Sequence, residues 1–230
     1  MRYIYGLKKG IPIALGYLSV SFGFGITAVN QGLSGIEAIL ISMTNLTSAG
    51  QLAGVSVIAN LGTIAEMILT QIVINIRYCL MALSLTQKLD KKFGTMHRLL
   101  VSFGITDEIF AVASSEIKQL SPSYMYGLIT LPYIGWSLGT FLGAYAGNVL
   151  PKSLSDALGI AIYSMFIAII IPPSKAKKGV LYTVLLSTVL SCLLYYLPTG
   201  LSQGFSIIIC AVVSSVLMAY LMPAEEDENE

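Results

Sequence analysis

Apolar residues fall in eight long runs along the chain, at 11–29, 36–60, 63–86, 99–117, 125–147, 157–172, 179–197 and 204–222. A bilayer core takes about 20 apolar residues per helix, so the pattern predicts an all-α integral membrane protein, polytopic, with each run a membrane element. Two runs carry polar interruptions: Thr44-Asn45-Leu46-Thr47-Ser48-Ala49-Gly50-Gln51 in the second and Gly104-Ile105-Thr106-Asp107-Glu108 in the fourth. Non-helical backbone at membrane depth survives only against protein or a water-filled cavity, so these two breaks are expected to line one. The first run follows Arg2, Lys8 and Lys9 but is long for the apolar part of a signal peptide. It reads as an uncleaved first transmembrane helix.

Lysine and arginine in short loops set orientation, so Lys8/Lys9, Lys88/Lys91/Lys92/Arg98, Lys118 and Lys175/Lys177/Lys178 should all be cytoplasmic. Eight simple crossings put the most basic loop, 88–98, outside. The conflict disappears if runs 36–60 and 99–117 each enter and leave on one side, leaving six full spans with both termini inside. The unit 11–60 then starts inside and the unit 63–117 starts outside, the relation found in inverted repeats of secondary transporters. Eight ordinary helices with one loop breaking the charge rule is the alternative. Either way residues 1–222 form a single transmembrane permease domain. The tail 223–230, with Glu225, Glu226, Asp227, Glu228 and Glu230, is too polar to bury and is expected to be a disordered end.

Composition agrees: of 230 residues, 55% are hydrophobic and 11% charged, and the mean hydropathy is +0.79. A net charge of +1 without a long basic tract leaves no electrostatic footprint for nucleic acid. Cys79, Cys192 and Cys210 lie in apolar runs, where a thiol behaves as a small hydrophobe. There is no phosphate-binding GxxxxGK[ST] and no HExxH. An enzyme is not expected, and neither a cofactor nor a metal is indicated.

Apart from Glu116, one residue from the end of its run, five charged residues lie inside apolar runs: Glu37, Glu66, Arg77, Asp107 and Glu108. A charge at mid-bilayer costs about 2.5–3.5 kcal/mol, so Arg77, Asp107 and Glu108 together would oppose insertion by roughly 8–10 kcal/mol if unpaired. Arg77 suits capture of a substrate carboxylate by its guanidinium fork, or service as counter-ion to Asp107 or Glu108. Asp107 and Glu108 suit a titrating site that a proton or an amine neutralises, or a carboxylate pair held by a helix dipole.

Around Arg77, the residues Glu66 and Thr70 share one stripe of a helix, with Gln71, Asn75 and Tyr78 beside it. Thr47, Ser48, Gly50 and Gln51 offer a glycine-permitted break that presents N–H groups to an anion, or a hydrogen-bonded helix contact. Glu37 and Glu66, near run ends, read as interfacial, and Glu66 is also a pathway candidate. His97 in the basic loop reads as a surface residue. Gly135, Gly139, Gly143 and Gly147 recur every four residues and mark a close helix contact, expected within this chain.

Ser48-Ala49-Gly50-Gln51, Asn75-Ile76-Arg77-Tyr78-Cys79-Leu80-Met81 and Thr106-Asp107-Glu108-Ile109-Phe110-Ala111 resemble, in order and spacing, the AzlC-type large subunit of branched-chain amino acid exporters. The likeness covers roughly residues 6–175, and Leu52 departs from the aromatic residue common after the glutamine. It implies a bacterial inner-membrane permease that exports branched-chain or similar apolar amino acids with a small, multi-spanning AzlD-type partner. The substrate and proton pathway would then draw on Thr106, Asp107, Glu108, Arg77, Asn75, Ser48, Gly50, Gln51 and Glu66. A passive channel or a scaffold subunit is the alternative function. Residues 179–222 carry no motif.

Overall fold

The computed structural model describes residues 2–146, 177–197 and 201–222, with a few single positions between 153 and 175. The apolar run 157–172, the tail 223–230 and Gly147 therefore lie outside the described residues, apart from single positions in that run. Among the described residues the chain forms nine helices and no strand: α1 (Arg2–Asn30), α2 (Gly35–Thr44), α3 (Ser48–Ala59), α4 (Ile64–Thr86), α5 (Thr95–Phe103), α6 (Asp107–Ser114), α7 (Pro122–Ala146), α8 (Lys178–Tyr196) and α9 (Gln203–Leu221). Four of these, α1, α4, α8 and α9, are long and apolar enough to cross a membrane.

The spine of the molecule is α1 packed along α7. Glycines make this possible, because helices in lipid associate by close backbone approach. A Cβ on Gly135 would meet the backbone of Ala14, one on Gly139 that of Leu18, and one on Gly143 that of Phe22. The relation is reciprocal: Gly6 and Gly10 of α1 press on the backbone of Leu128, and Gly25 on that of Thr140. These pairs advance together along both helices, so α1 and α7 run parallel. Both begin at one face of the molecule, the N-terminal face, and end at the opposite one.

After a left-handed turn at Gly32 (φ 97°), α2 starts at the opposite face with a capping box between Ser34 and Glu37. It then descends along α7: Gly35 lies against the Tyr145 ring, Ser42 bonds Thr140 at 2.7 Å, and Tyr133 donates to the Met43 carbonyl at 2.9 Å. The chain breaks at residues 45–47, halfway along, and α3 turns back. Val55 of α3 sits in one buried cluster with Phe24, Ala28, Leu33 and Ala38, all near the opposite face. The second apolar run therefore re-enters.

From there α4 crosses to the N-terminal face, where Leu85 packs with Phe93, Leu120 and Tyr124. The next segment mirrors the first. Climbing along α7, α5 bonds His97 to Tyr126 at 2.7 Å, and its C-capping Gly104 presses on Ile129. A break at 104–106 reverses the direction. Returning on α6, the chain reaches Ser114, whose carbonyl accepts from Lys88, and Leu120 exchanges backbone hydrogen bonds with Lys88 and Asp90 at 2.8 and 2.9 Å. Run 99–117 thus re-enters from the N-terminal face and run 36–60 from the opposite one. Arg2, Lys88 and Lys118 all fall on the N-terminal face, as the charge rule requires of one side.

Two further helices close the described part. Starting beside Glu66, α9 runs antiparallel to α8, with Gly179 of α8 near Met222 at the far end. Glu66 is buried, and its Oε1 accepts from the Gly204 N–H at 2.9 Å and from the Ser202 hydroxyl. Glu66 sits in the first turn of α4, and its carboxylate ties α4 to the N-terminus of α9, where the orphan N–H groups and the helix dipole favour an anion. Glu37, by contrast, is exposed.

Candidate functional site

Both broken segments point a helix N-terminus at the middle of the molecule: α3 begins at Ser48 and α6 at Asp107. Thr106 caps α6 with its side chain, whereas Thr47 makes no side-chain cap on α3. The first N–H groups of α3 are therefore left to another acceptor. Ser48, Thr106, Asp107 and Glu108 line one cavity with Tyr17, Tyr78 and Trp136, and its free volume is about 10 Å³. That is the threshold for a single water. The centre is closed in this conformation.

Arg77 Nη2 of α4 and Asp107 Oδ2 of α6 form an ion pair at 3.0 Å. Their side chains are 39% and 30% exposed, so the pair stays accessible from outside the packed core. Arg77 also stacks on the neighbouring Tyr78 ring, 5.2 Å from the centroid. Its Nε is buried with no hydrogen-bond partner. Glu108 turns the other way: its Oε2 accepts from the Tyr17 hydroxyl at 2.5 Å, and Thr106 Oγ1 lies 2.5 Å from that hydroxyl. Tyr17 is held in turn by an edge-on contact with Trp136, centroids 5.2 Å apart. Adjacent carboxylates on one helix turn thus have different partners, a cation for Asp107 and a phenol for Glu108.

The remaining polar residues form a frame rather than the cavity wall. Gln51 donates to Ser42 at 2.9 Å, and Ser42 bonds Thr140, which fastens α2 and α3 to α7. Asn75 donates to Gln71 at 2.9 Å, and Gln71 donates to the Gly50 carbonyl at 2.8 Å. This corrects the reading of Gly50 as the backbone break. Gly50 is helical in α3, and a Cβ there would meet Thr47, Gln71 and Asn75, so its role is close packing against α4. The break itself falls at 45–47, without a glycine. Glu66 lies away from the cavity.

Sequence reasoning missed Tyr17 and Trp136, since neither is charged and both sit in apolar runs. One signal was available. Tyr and Trp favour the membrane interfaces, so a tyrosine and the chain's sole tryptophan well inside apolar runs ask for a polar partner.

Comparison with known proteins adds a second line of observation. The family described as AzlC protein matches residues 12–150. The inner membrane protein YgaZ of Escherichia coli (strain K12) is 24% identical over 98% of this chain and 94% of its own length. An uncharacterized membrane protein of Archaeoglobus fulgidus is 30% identical over 75% of this chain and 76% of its own. The branched-chain amino acid transport protein AzlC of Bacillus subtilis (strain 168) is 27% identical over 73% of this chain and 66% of its own. No solved structure matches the chain.

Proposed function

The chain belongs to the AzlC protein family, and on that basis we propose that it is a secondary transporter that exports branched-chain or similar apolar amino acids across a bacterial inner membrane. The observation that carries this reading is the Arg77–Asp107 ion pair at the point where both broken helices turn. A zwitterion needs one anionic and one cationic host, and these two residues supply both. The substrate carboxylate is received by Arg77 and the free N–H groups at the start of α3. The ammonium group goes to Asp107. Apolar walls such as Leu46 and Trp136 accept the side chain.

The closed centre fits an alternating-access cycle, because a site with room for one water must open to load. Glu108 is the proton carrier in this reading. Its hydrogen bond from Tyr17 lies beside the ion pair, so a proton gained there changes the charge that Arg77 and Asp107 sense. The basic N-terminal face is cytoplasmic by the charge rule, and a small AzlD-type subunit completes the working permease.

Counterflow of labelled leucine or isoleucine in proteoliposomes tests the proposal. Saturable exchange is expected for the wild type and is lost or uncoupled from pH in Asp107→Asn and Glu108→Gln, both isosteric. No saturable exchange by the wild type together with its small subunit would favour a passive channel or a scaffold. Wild-type rates with unchanged pH dependence in both variants would remove the carboxylates from the mechanism.

A further inference from the structure

A second cavity lies at the N-terminal face, walled by Arg2 and Tyr5 of α1, Glu116, Lys118 and Gln119 of the segment after α6, and Tyr124 of α7. Its volume is about 370 Å³, inside the range of small-ligand pockets. Arg2, Glu116 and Lys118 bring charges of both signs to it. None of them is in an ion pair, since Arg77–Asp107 is the one pair among the described residues. Arg2 spends one donor on the Gln119 carbonyl, at 3.0 Å, which holds the guanidinium at the wall with its other N–H groups unused. Tyr124 is 3% exposed, and its hydroxyl is buried with no hydrogen-bond partner. The Tyr5 and Tyr124 rings, 5.8 Å apart, make an apolar side.

We propose that this hollow is a loading site for the amino acid, a binding site separate from the centre, and the proposal rests on the transport reading above. The carboxylate goes between Arg2 and Lys118 with the Tyr124 hydroxyl, the ammonium group to Glu116, and the apolar side chain against the two rings. Position supports this role. The hollow opens where the chain leaves α6, and α6 carries Asp107 and Glu108 at its other end, about 12 Å away for eight helical residues. Lys88 donates to the carbonyls of Ser114 and Glu116, which holds this mouth in place. An amino acid arriving from the N-terminal face meets the hollow before the centre. A phosphatidylethanolamine headgroup carries the same two charges and is the competing occupant.

The test uses the full chain with its small subunit, reconstituted in phosphatidylcholine vesicles, and the double variant Glu116→Gln, Lys118→Gln. The KM for leucine presented at the N-terminal face is expected to rise about tenfold, with kcat within about twofold. Tyr124→Phe should move KM in the same direction. Unchanged KM in the double variant overturns the loading site while leaving transport intact. If the wild type shows no leucine exchange, calorimetric binding of leucine to Asp107→Asn protein decides: binding that the Glu116/Lys118 changes abolish keeps the hollow as an amino acid site and removes only the transport reading. Phosphatidylethanolamine that co-purifies with the wild type and is lost in the double variant, with leucine KM unchanged, assigns the hollow to lipid and overturns the proposal.

Discussion

The hydroxyl of Tyr17 donates to Glu108 at 2.5 Å, joining the middle of α1 to the first turn of α6 across 91 positions of sequence. Glu108 is next to Asp107, whose partner is Arg77 on α4. The long helices α1 and α4 therefore each hold one carboxylate of the same helical turn, and displacement of α6 relative to α1 or α4 must release the carboxylate held there.

Tyr17→Phe removes only the oxygen atom and leaves the ring against Trp136. The carboxylate of Glu108 then loses its phenol, at a cost of about 1–3 kcal/mol. Thermostability in detergent should fall by that amount, and leucine counterflow should change its pH dependence. A variant with wild-type stability and pH profile would show that the short contact has no energetic role.

Arg77→Gln leaves Asp107 without its cation, and Asp107→Asn leaves Arg77 without its anion. Each should cost about 1–3 kcal/mol, less than for a sealed pair because both side chains are about a third exposed. The double variant restores charge balance and should recover stability but not transport. Recovery of transport would mean that the pair only holds α4 to α6. No recovery of stability would mean that the two residues act independently.

Re-entry of both broken segments places Lys91 on the N-terminal face and Leu61 on the opposite one. In a background with Cys79 and Cys192, the two exposed cysteines, replaced by alanine, a cysteine at Lys91 should react with an impermeant thiol reagent only from the side of the N-terminus and one at Leu61 only from the other. Lys91 labelled from the side opposite the N-terminus, with Leu61 labelled from the N-terminal side, would restore simple crossings.

Gly139→Leu and Gly143→Leu should destabilise the chain expressed alone. A Cβ at either position already runs into α1 backbone, at Leu18 or Phe22, so the cost is that of overpacking, about 1–3 kcal/mol or more. The measurement is melting temperature without the small subunit. Unchanged melting together with lost co-purification would move the contact from α1 to the partner.

The membrane class, the long apolar helices and the two interruptions were legible in the order of residues, because polar groups inside a long apolar run are costly wherever the chain goes. The charge rule singled out 36–60 and 99–117 as the segments whose folding back would put the loop Lys88 to Arg98 on the side of Lys8, against eight simple crossings with one loop breaking the rule, and the course of the helices decided between the two. That Arg77 could serve as counter-ion to Asp107 or Glu108 was one of two readings open from scarcity, with only three charges deep in apolar runs. Which of the two it meets did not follow, because adjacent residues on a helix point about 100° apart and only the docking of α6 between α1 and α4 decides between them. Tertiary packing also assigned Glu66 to α9, Gln51 to the α2–α7 contact and Tyr17 to Glu108. Each of these is a hydrogen bond whose partner lies on another helix. Helical periodicity states which face a side chain occupies, and only the close approach of α1 and α7 along their glycines sets what that face meets.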